Sequence, residues 1–200
     1  MTSKEAPDRI WKIADTLRGR EFTGLGSLVS ECKDQGIAMT VNDLAFMVSR
    51  ASMSSRFRLQ PDHFVPQGVA DFIAKLIKPY SPTSILDPWA GMGFLPIPLN
   101  ELLKPKRYDA YSQNHGHAEV WRQLEGTAGI TLHETDALVA LADSSDTFGA
   151  AVSCPPWGLR ANQSVTVRIG DKDEEIKEDY GHLLILEACR HLTERGVGDV

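Results

Sequence analysis

The sequence has little of what marks a secreted, membrane-spanning or disulfide-stabilised protein. Only three of its 200 residues are cysteine, and their spacing indicates neither a disulfide framework nor a zinc knuckle. No apolar run is long enough to span a bilayer, and the polar stretch 1–9 leads into no segment typical of a signal peptide. We therefore expect a cytoplasmic protein that makes no membrane contact.

An excess of positive charge is also missing. The formal net charge is −6 at pH 7, whereas a domain that grips nucleic acid by itself usually carries a basic patch. Small basic clusters occur within 50–58 and 104–107, but solvated surface explains them more simply. If nucleic acid is the substrate, much of the binding must come from other segments or subunits.

Apolar, β-prone segments that alternate with helical patterns predict an α/β protein. The strand signals lie at 85–86, 108–112, 130–133 and 148–153, with helical or loop stretches between them. Such alternation is typical of βαβ units and a mainly parallel sheet. The alternating run 165–169 ends at a Gly-Asp turn and predicts either a hairpin or a flap.

The sequence divides into a helical N-terminal part and a sheet domain. Helical patterns at 9–19, at 25–33 and from Thr40 toward Arg50 predict a small helical module at 1–60. The sheet domain would occupy 61–200 and, after a helix predicted at 183–192, approach one more strand at its end. A parallel sheet that stops at its fourth or fifth strand leaves an unpaired edge, so we expect the domain to be incomplete at its C-terminus.

The most informative stretch is Ser-Ile-Leu-Asp-Pro-Trp-Ala-Gly-Met-Gly-Phe at 84–94. A short apolar strand runs into Asp87 and then into a loop containing Gly91 and Gly93, where the backbone can approach a ligand closely. A dinucleotide site would need a third glycine three residues after Gly93, but Pro96 stands there. The spacing Asp-x-x-x-Gly-x-Gly instead resembles the first motif of S-adenosylmethionine-dependent methyltransferases.

A second motif follows the strand predicted at 148–153. The sequence Cys154-Pro155-Pro156-Trp157 forms a rigid turn, because two prolines fix φ, and its tryptophan offers a flat face to a planar ligand such as a base. A proline-rich turn with a packed tryptophan is the structural alternative. Since parallel strands end at the same rim, this motif and the glycine loop are expected to share one site.

Together the motifs resemble the amino-methyltransferases of DNA. The order Phe-x-Pro (Phe64, Pro66), Asp-Pro-x-x-Gly-x-Gly and x-Pro-Pro-aromatic is similar to the modification subunits of type I restriction-modification systems. The segment 11–19 also fits their helical signature, Trp-Lys-x-Ala-Asp-x-Leu-Arg-Gly. The resemblance implies a Rossmann-like class I methyltransferase sheet that methylates the exocyclic amino group of adenine in DNA, with DNA and a specificity subunit as partners.

The resemblance also implies a site. Asp87, Gly91 and Gly93 would hold the methionine part of S-adenosylmethionine, Asp136 its adenine, and Phe64 and Pro66 would close over it. The cofactor-binding set is Phe64, Pro66, Asp87, Pro88, Gly91, Gly93, Gln113 and Asp136. The catalytic set is Cys154, Pro155, Pro156 and Trp157, with the target base stacked on the tryptophan.

The sequence departs from the family pattern at two positions. After the second strand the family has an acid for the ribose hydroxyls, whereas this chain has Ser112-Gln113-Asn114, so an amide must serve. Where the family has Asn, Asp or Ser to accept a hydrogen bond from the target amine, this chain has Cys154. A thiol is a weak acceptor, so either catalysis is slow, or backbone carbonyls suffice, or activity has been lost.

Other interpretations stay open. The segment Pro-Pro-Trp-Gly-Leu-Arg resembles a tRNA guanosine amino-methyltransferase motif, and a change at Cys154 suits a non-catalytic subunit that binds cofactor or partner. A covalent cysteine nucleophile, as in cytosine-ring methyltransferases, fits poorly because that cysteine follows a proline. His115 and His117 flank Gly116 in a polar turn and are interpreted as surface residues, so no metal is expected.

Overall fold

The structure is a computed structural model, and it describes residues 25–50, 65–155, 158–159, 164–169, 172–177 and 179–199. The helices are α1 (Leu25–Asp34), α2 (Val41–Arg50), α3 (Gln67–Ile77), α4 (Pro96–Leu103), α5 (His115–Trp121), α6 (Ala137–Ala142) and α7 (Tyr180–Arg190), with a 3₁₀ turn at Lys78–Tyr80. The strands are β1 (Ser84–Asp87), β2 (Arg107–Tyr111), β3 (Ile130–His133), β4 (Phe148–Val152), β5 (Val165–Ile169), β6 (Lys172–Ile176) and β7 (Leu192–Asp199).

Five of these strands form a parallel sheet in the order β3-β2-β1-β4-β7. The central strand β1 has β2 on one side and β4 on the other, and helices lie between consecutive strands along the chain. The carboxyl ends of all five strands therefore point to one rim. The predicted α/β class and parallel sheet are confirmed. Strands β5 and β6 form a separate antiparallel pair, which agrees with the hairpin alternative.

Helices cover the sheet on both faces, which is why its central strands read as continuous apolar runs. One apolar cluster contains Ile85 and Ala150 with side chains of α1 to α5. The other contains Leu86 and Ala151 with side chains of α6 and α7. Successive residues of a strand point to opposite faces, so Ile85 and Leu86 are both fully buried although they belong to different clusters.

The helix ends follow local chemistry. Thr40 and Asp43 form a reciprocal cap at the start of α2, in which Thr40 N–H donates to Asp43 Oδ2 at 2.9 Å and Asp43 N–H donates to Thr40 Oγ1 at 3.2 Å. Helix α1 ends in a Schellman turn, where Gly36 has φ +71° and Ile37 N–H donates to Cys32 O at 2.9 Å.

The last predicted helix is present, but both of its ends are shifted. We expected it over 183–192, but Asp179 caps it through a hydrogen bond from Gly181 N–H, so α7 starts at Tyr180. It ends at Arg190, and Leu192 instead opens β7, where it pairs with Phe148. Sheet pairing therefore takes the end of the predicted helix into a strand.

The described part of the N-terminal region packs on the sheet layer. Leu28 of α1 and Leu44 of α2 are fully buried in the same apolar cluster as Ile85. Met39 forms a β-bridge with Leu124 just after α5. The predicted helix at 9–19 lies outside the described residues, and the division into 1–60 and 61–200 stays a prediction.

Membrane-spanning helices were searched for within the described ranges. None of the helices there combines the length and the apolar character that crossing a bilayer requires.

Candidate cofactor-binding and catalytic site

Asp87 lies at the carboxyl end of β1 and is completely buried. Its Oδ1 accepts hydrogen bonds from Trp89 N–H and from the Ser153 hydroxyl, both at 3.1 Å. Its Oδ2 is buried and has no hydrogen-bond partner among the described residues. Burial raises the pKa of this carboxyl from an ordinary 3.8 to about 7, and the two hydrogen bonds oppose that rise. A buried acceptor oxygen without a partner is costly unless a ligand donates to it.

The glycine loop after β1 has the backbone that the sequence predicts. Gly91 and Gly93 have φ of +51° and +89°, in the left-handed region that favours glycine. A Cβ on Gly93 would lie 2.7 Å from Ile97 Cδ1. The loop is also held from α5, because Trp121 Nε1–H donates to Gly91 O at 2.9 Å. No sequence pattern marks this contact, because Trp121 has the spacing of an ordinary buried residue of an amphipathic helix.

The end of β4 brings the second motif beside the first. Cys154 is half-buried and lines a cleft with Trp89, Gly91 and Val65. Burial raises the pKa of the Cys154 thiol above its ordinary 9.0, and the negative charge of Asp87 raises it further. The thiol is therefore neutral at physiological pH, which removes the thiolate as an acceptor. Pro155 is half-buried, while Pro156 and Trp157 lie outside the described residues.

Asp136 lies at the end of β3 and caps α6. Its Oδ1 accepts a hydrogen bond from Leu138 N–H at 2.9 Å and another from the hydroxyl of Tyr180, the first residue of α7. The Tyr180 ring also meets Trp89 edge-on, with centroids 5.5 Å apart and an interplanar angle of 74°. Sequence reasoning missed both Tyr180 and Ser153 as contributors to this rim. No local pattern marks them.

Three polar residues follow β2, where the sequence predicts that an amide contacts the ribose hydroxyls of the cofactor. Ser112 is buried, with its Oγ 3.5 Å from His117 Nδ1, and Asn114 caps α5 by accepting from Gly116 N–H at 2.9 Å. Gln113 between them is exposed and makes no hydrogen bond to a described residue. It is thus the side chain of the three that remains available at this strand end.

Three predicted cofactor-binding residues remain, and the structure places two of them. Pro88 is buried beside Ser153 and Pro155 on the side of the loop that faces α7. Pro66 is exposed at the start of α3, next to Val65 in the cleft, and Phe64 lies outside the described residues.

The histidine interpretation needs one correction. His115 is exposed and near Glu134, as expected, but His117 is buried with 4% exposure on the inner face of α5. Helical periodicity turns the two side chains to different faces although they are two residues apart. Within the parts of the chain that the structure describes, no group of three potential metal ligands occurs.

Comparison with known proteins identifies the fold. No protein-family model matches the chain, and no curated protein matches its sequence. Among solved structures, a class I S-adenosylmethionine-dependent methyltransferase from Listeria monocytogenes matches with a TM-score of 0.54 at 14% identity, over 94% of this chain and 71% of that one. A caffeoyl-CoA O-methyltransferase from Staphylococcus aureus matches with a TM-score of 0.52 at 11% identity, over 88% and 72%.

The chain has the Rossmann-like fold of the class I methyltransferases. It spans between 53% and 72% of the lengths of eight solved methyltransferase chains that resemble it. Neither of the two names above refers to DNA. The comparisons therefore identify the fold and do not identify the substrate. Nothing in them is specific to restriction-modification systems.

Proposed function

We propose that this chain binds S-adenosylmethionine and directs its methyl group to the exocyclic amino nitrogen of adenine in DNA. The observation that carries the proposal is the hydrogen bond from Ser153 to Asp87. It joins the strand end of the glycine-loop motif to the strand end of the proline-proline motif. A cofactor held at the first would thus lie beside a base held at the second.

The residues at the rim fit this cofactor. The unpartnered Oδ2 of Asp87 would accept a hydrogen bond, direct or through water, from the ammonium of the methionine part. A Cβ at Gly93 would collide with Ile97 in the core, so glycine keeps the loop in its observed conformation after β1. Asp136 and Gln113, at the ends of β3 and β2, would contact the adenine and the ribose hydroxyls. When bound, the cofactor supplies a methyl group on a positively charged sulfur.

The chain's own part in the reaction is positioning. The carbonyl oxygens of Cys154 and Pro155 can accept hydrogen bonds from the target amino group and hold its nitrogen in line with the sulfur–methyl bond. Transfer would form the nitrogen–carbon bond as the sulfur–carbon bond breaks with its electron pair left on sulfur, and the extra proton of the amine would leave to solvent. Trp157 would stack on the flipped base.

DNA as the substrate is supported by the order of the motifs. Phe64 and Pro66, the glycine loop and the proline-proline turn follow one another as in the modification subunits of type I restriction-modification systems. The net charge of −6 requires that DNA be held largely by other segments or by a specificity subunit. We therefore propose the role of a modification subunit, with a cytoplasmic location.

A second candidate is a cofactor-binding subunit that no longer catalyses. The raised pKa of the Cys154 thiol favours it, because a neutral thiol is a weak acceptor where the family has an oxygen. The two candidates share the cofactor site and differ in whether methyl transfer occurs.

The test has two stages. Calorimetric titration with S-adenosylhomocysteine should show binding, and its absence would contradict both candidates. Transfer of labelled methyl groups is then measured with the native complex on unmethylated DNA, on DNA whose adenines already carry N6-methyl groups, and on tRNA. Incorporation into the first DNA alone supports the proposal. Incorporation into tRNA alone would overturn the DNA assignment, and none at all would favour the non-catalytic subunit.

A further inference from the structure

Tyr180 contacts three segments of the rim that are far apart in the sequence. Its hydroxyl donates to Asp136 Oδ1, at the strand end assigned to adenine. Its backbone N–H donates at 2.7 Å to Leu159 O, which follows the proline-proline motif along the chain. Its ring contacts Trp89 in the glycine loop. One buried residue, 5% exposed, therefore contacts all three segments.

The backbone bond has a specific physical basis. The first amides of a helix have no partner within the helix, so they must find acceptors elsewhere. At the start of α7 the Asp179 side chain accepts from Gly181 N–H, and Leu159 O accepts from Tyr180 N–H. The position of Leu159 is thus fixed by where Tyr180 lies, and Tyr180 is in turn held by Asp136.

The hydrogen bonds at Asp136 also leave a defined acceptor. Leu138 N–H and the Tyr180 hydroxyl both use Oδ1, and among the described residues Oδ2 has no hydrogen-bond partner. With Oδ1 occupied twice, the carboxylate is fixed by the protein and Oδ2 remains for a ligand donor such as the amino group of adenine. A preorganised acceptor binds more tightly than one that must be ordered on binding.

We propose that Tyr180 is a positioning residue that couples the adenine end of the cofactor site to Leu159. The inference rests on the proposed function, because it needs the cofactor's adenine at Asp136. A ligand amino group on Asp136 restrains the carboxylate and so stabilises the bond from Tyr180, and with it the start of α7 and the bond to Leu159. By thermodynamic reciprocity, an ordered Leu159 strengthens binding of the adenine.

The experiment compares two ligands and two tyrosine variants. Adenosylhomocysteine carries both the amino-acid and the adenine parts, whereas 5′-methylthioadenosine lacks the amino acid and has no group for Asp87. Tyr180→Phe keeps the ring against Trp89 and removes only the hydroxyl. We expect it to weaken both ligands equally, by about tenfold, the order expected for one hydrogen bond to a carboxylate. Tyr108→Phe is the matched control, because that hydroxyl is buried with no described hydrogen-bond partner, and its methylthioadenosine affinity should not change.

Hydrogen exchange of the Tyr180 amide distinguishes coupling from a purely structural role, because only coupling makes the exchange rate depend on ligand. In the wild-type protein either ligand should slow this exchange, and in Tyr180→Phe that ligand dependence should be lost. Unchanged exchange in the wild type overturns the proposal even if the variant fails to fold. Equal affinities of wild type and Tyr180→Phe, or a loss confined to adenosylhomocysteine, would also overturn it while leaving the cofactor site intact. Failure of the wild type to bind either ligand would contradict the proposed function itself.

Discussion

The hydroxyl of Ser153 donates a hydrogen bond to Asp87 Oδ1 across 66 residues of sequence. It is one of two hydrogen bonds that partly offset the cost of a fully buried carboxylate, whose second oxygen stays without a described partner. The arrangement fixes the geometry of the rim and leaves Asp87 poised to change its protonation with pH or with ligand binding.

Asp87→Asn is expected to change the pH dependence of stability. The pKa of Asp87 is raised from 3.8 to about 7, so between these values the native state holds a proton that the unfolded state has released. The unfolding free energy therefore falls as pH rises through this window. Asparagine abolishes that part of the slope and should stabilise the ligand-free protein at pH 8 by a few kcal/mol, on the order of 1.4 kcal/mol per pKa unit. Urea denaturation at pH 5 and pH 8 measures it, with exposed Asp34→Asn as the control for loss of charge. A slope equal to that of the wild type would contradict the raised pKa.

Cofactor binding should release protons near pH 7. An ammonium group beside Asp87 favours its ionised form and lowers a pKa that stands at about 7 in the ligand-free protein. Adenosylhomocysteine is titrated in two buffers of different ionisation enthalpy. The two binding heats should differ by the fraction of a proton released multiplied by the difference between the ionisation enthalpies. Asp87→Asn should remove the difference as well as weaken binding. Identical heats in both buffers for the wild type would place the ammonium elsewhere.

Gly93→Ala should weaken cofactor binding in addition to straining the backbone. Gly93 and Gly36 both have positive φ, +89° and +71°, but an added Cβ meets Ile97 Cδ1 at 2.7 Å in the first and nothing within 4 Å in the second. Both variants should lose about 1 kcal/mol of stability from backbone strain. Only Gly93→Ala should also lose most of its affinity for adenosylhomocysteine in calorimetry. An equal loss of affinity in Gly36→Ala would show that the effect is general destabilisation.

Trp121→Phe should loosen the glycine loop without unfolding the protein. It removes the N–H that donates to Gly91 O at 2.9 Å and keeps an aromatic ring in the buried space beside Gly93. The carbonyl of Gly91 then loses one partner, a net cost of about 1 kcal/mol, so cofactor affinity should fall about fivefold. Binding calorimetry and a thermal melt measure the two effects. Undiminished affinity would mean that this bond does not hold the loop in its binding conformation.

Cys154→Asn is expected to raise the rate of methyl transfer or to restore it from zero. An oxygen accepts from the target amine better than a neutral thiol does, and such interactions with developing charge are worth roughly 2–4 kcal/mol. Cofactor affinity should stay nearly unchanged, and Cys154→Ala shows whether the thiol contributes at all. Single-turnover rates on adenine-containing DNA provide the measurement. If both variants fold, bind cofactor and transfer no faster than wild type, Cys154 is not the amine acceptor.

The local features of the fold were readable from the sequence because they depend on neighbouring residues. The strand Ile130–His133 has the predicted bounds, and Pro96 and Pro98 lie in the first turn of α4, where a missing N–H costs little. The positive φ of Gly91 and Gly93 likewise follows from their place between a buried strand and a helix.

The end of the last helix could not be read in the same way. Leu192 continues the apolar pattern of α7, yet it pairs with Phe148 in the sheet. The choice between the two depends on a strand some forty residues away and on the space beside it, so local periodicity does not decide it.

The sequence by itself determined that an acid, a glycine loop and a proline-proline motif follow strands of one parallel sheet, because composition and spacing set those elements locally. The tertiary structure alone decided which side chains complete the rim. Ser153 meets Asp87, Trp121 meets Gly91 and Tyr180 meets Asp136 over 66, 30 and 44 residues. Each pair depends on the order of the strands and on the face to which each side chain turns, and a buried donor takes whichever acceptor the packed sheet places within reach.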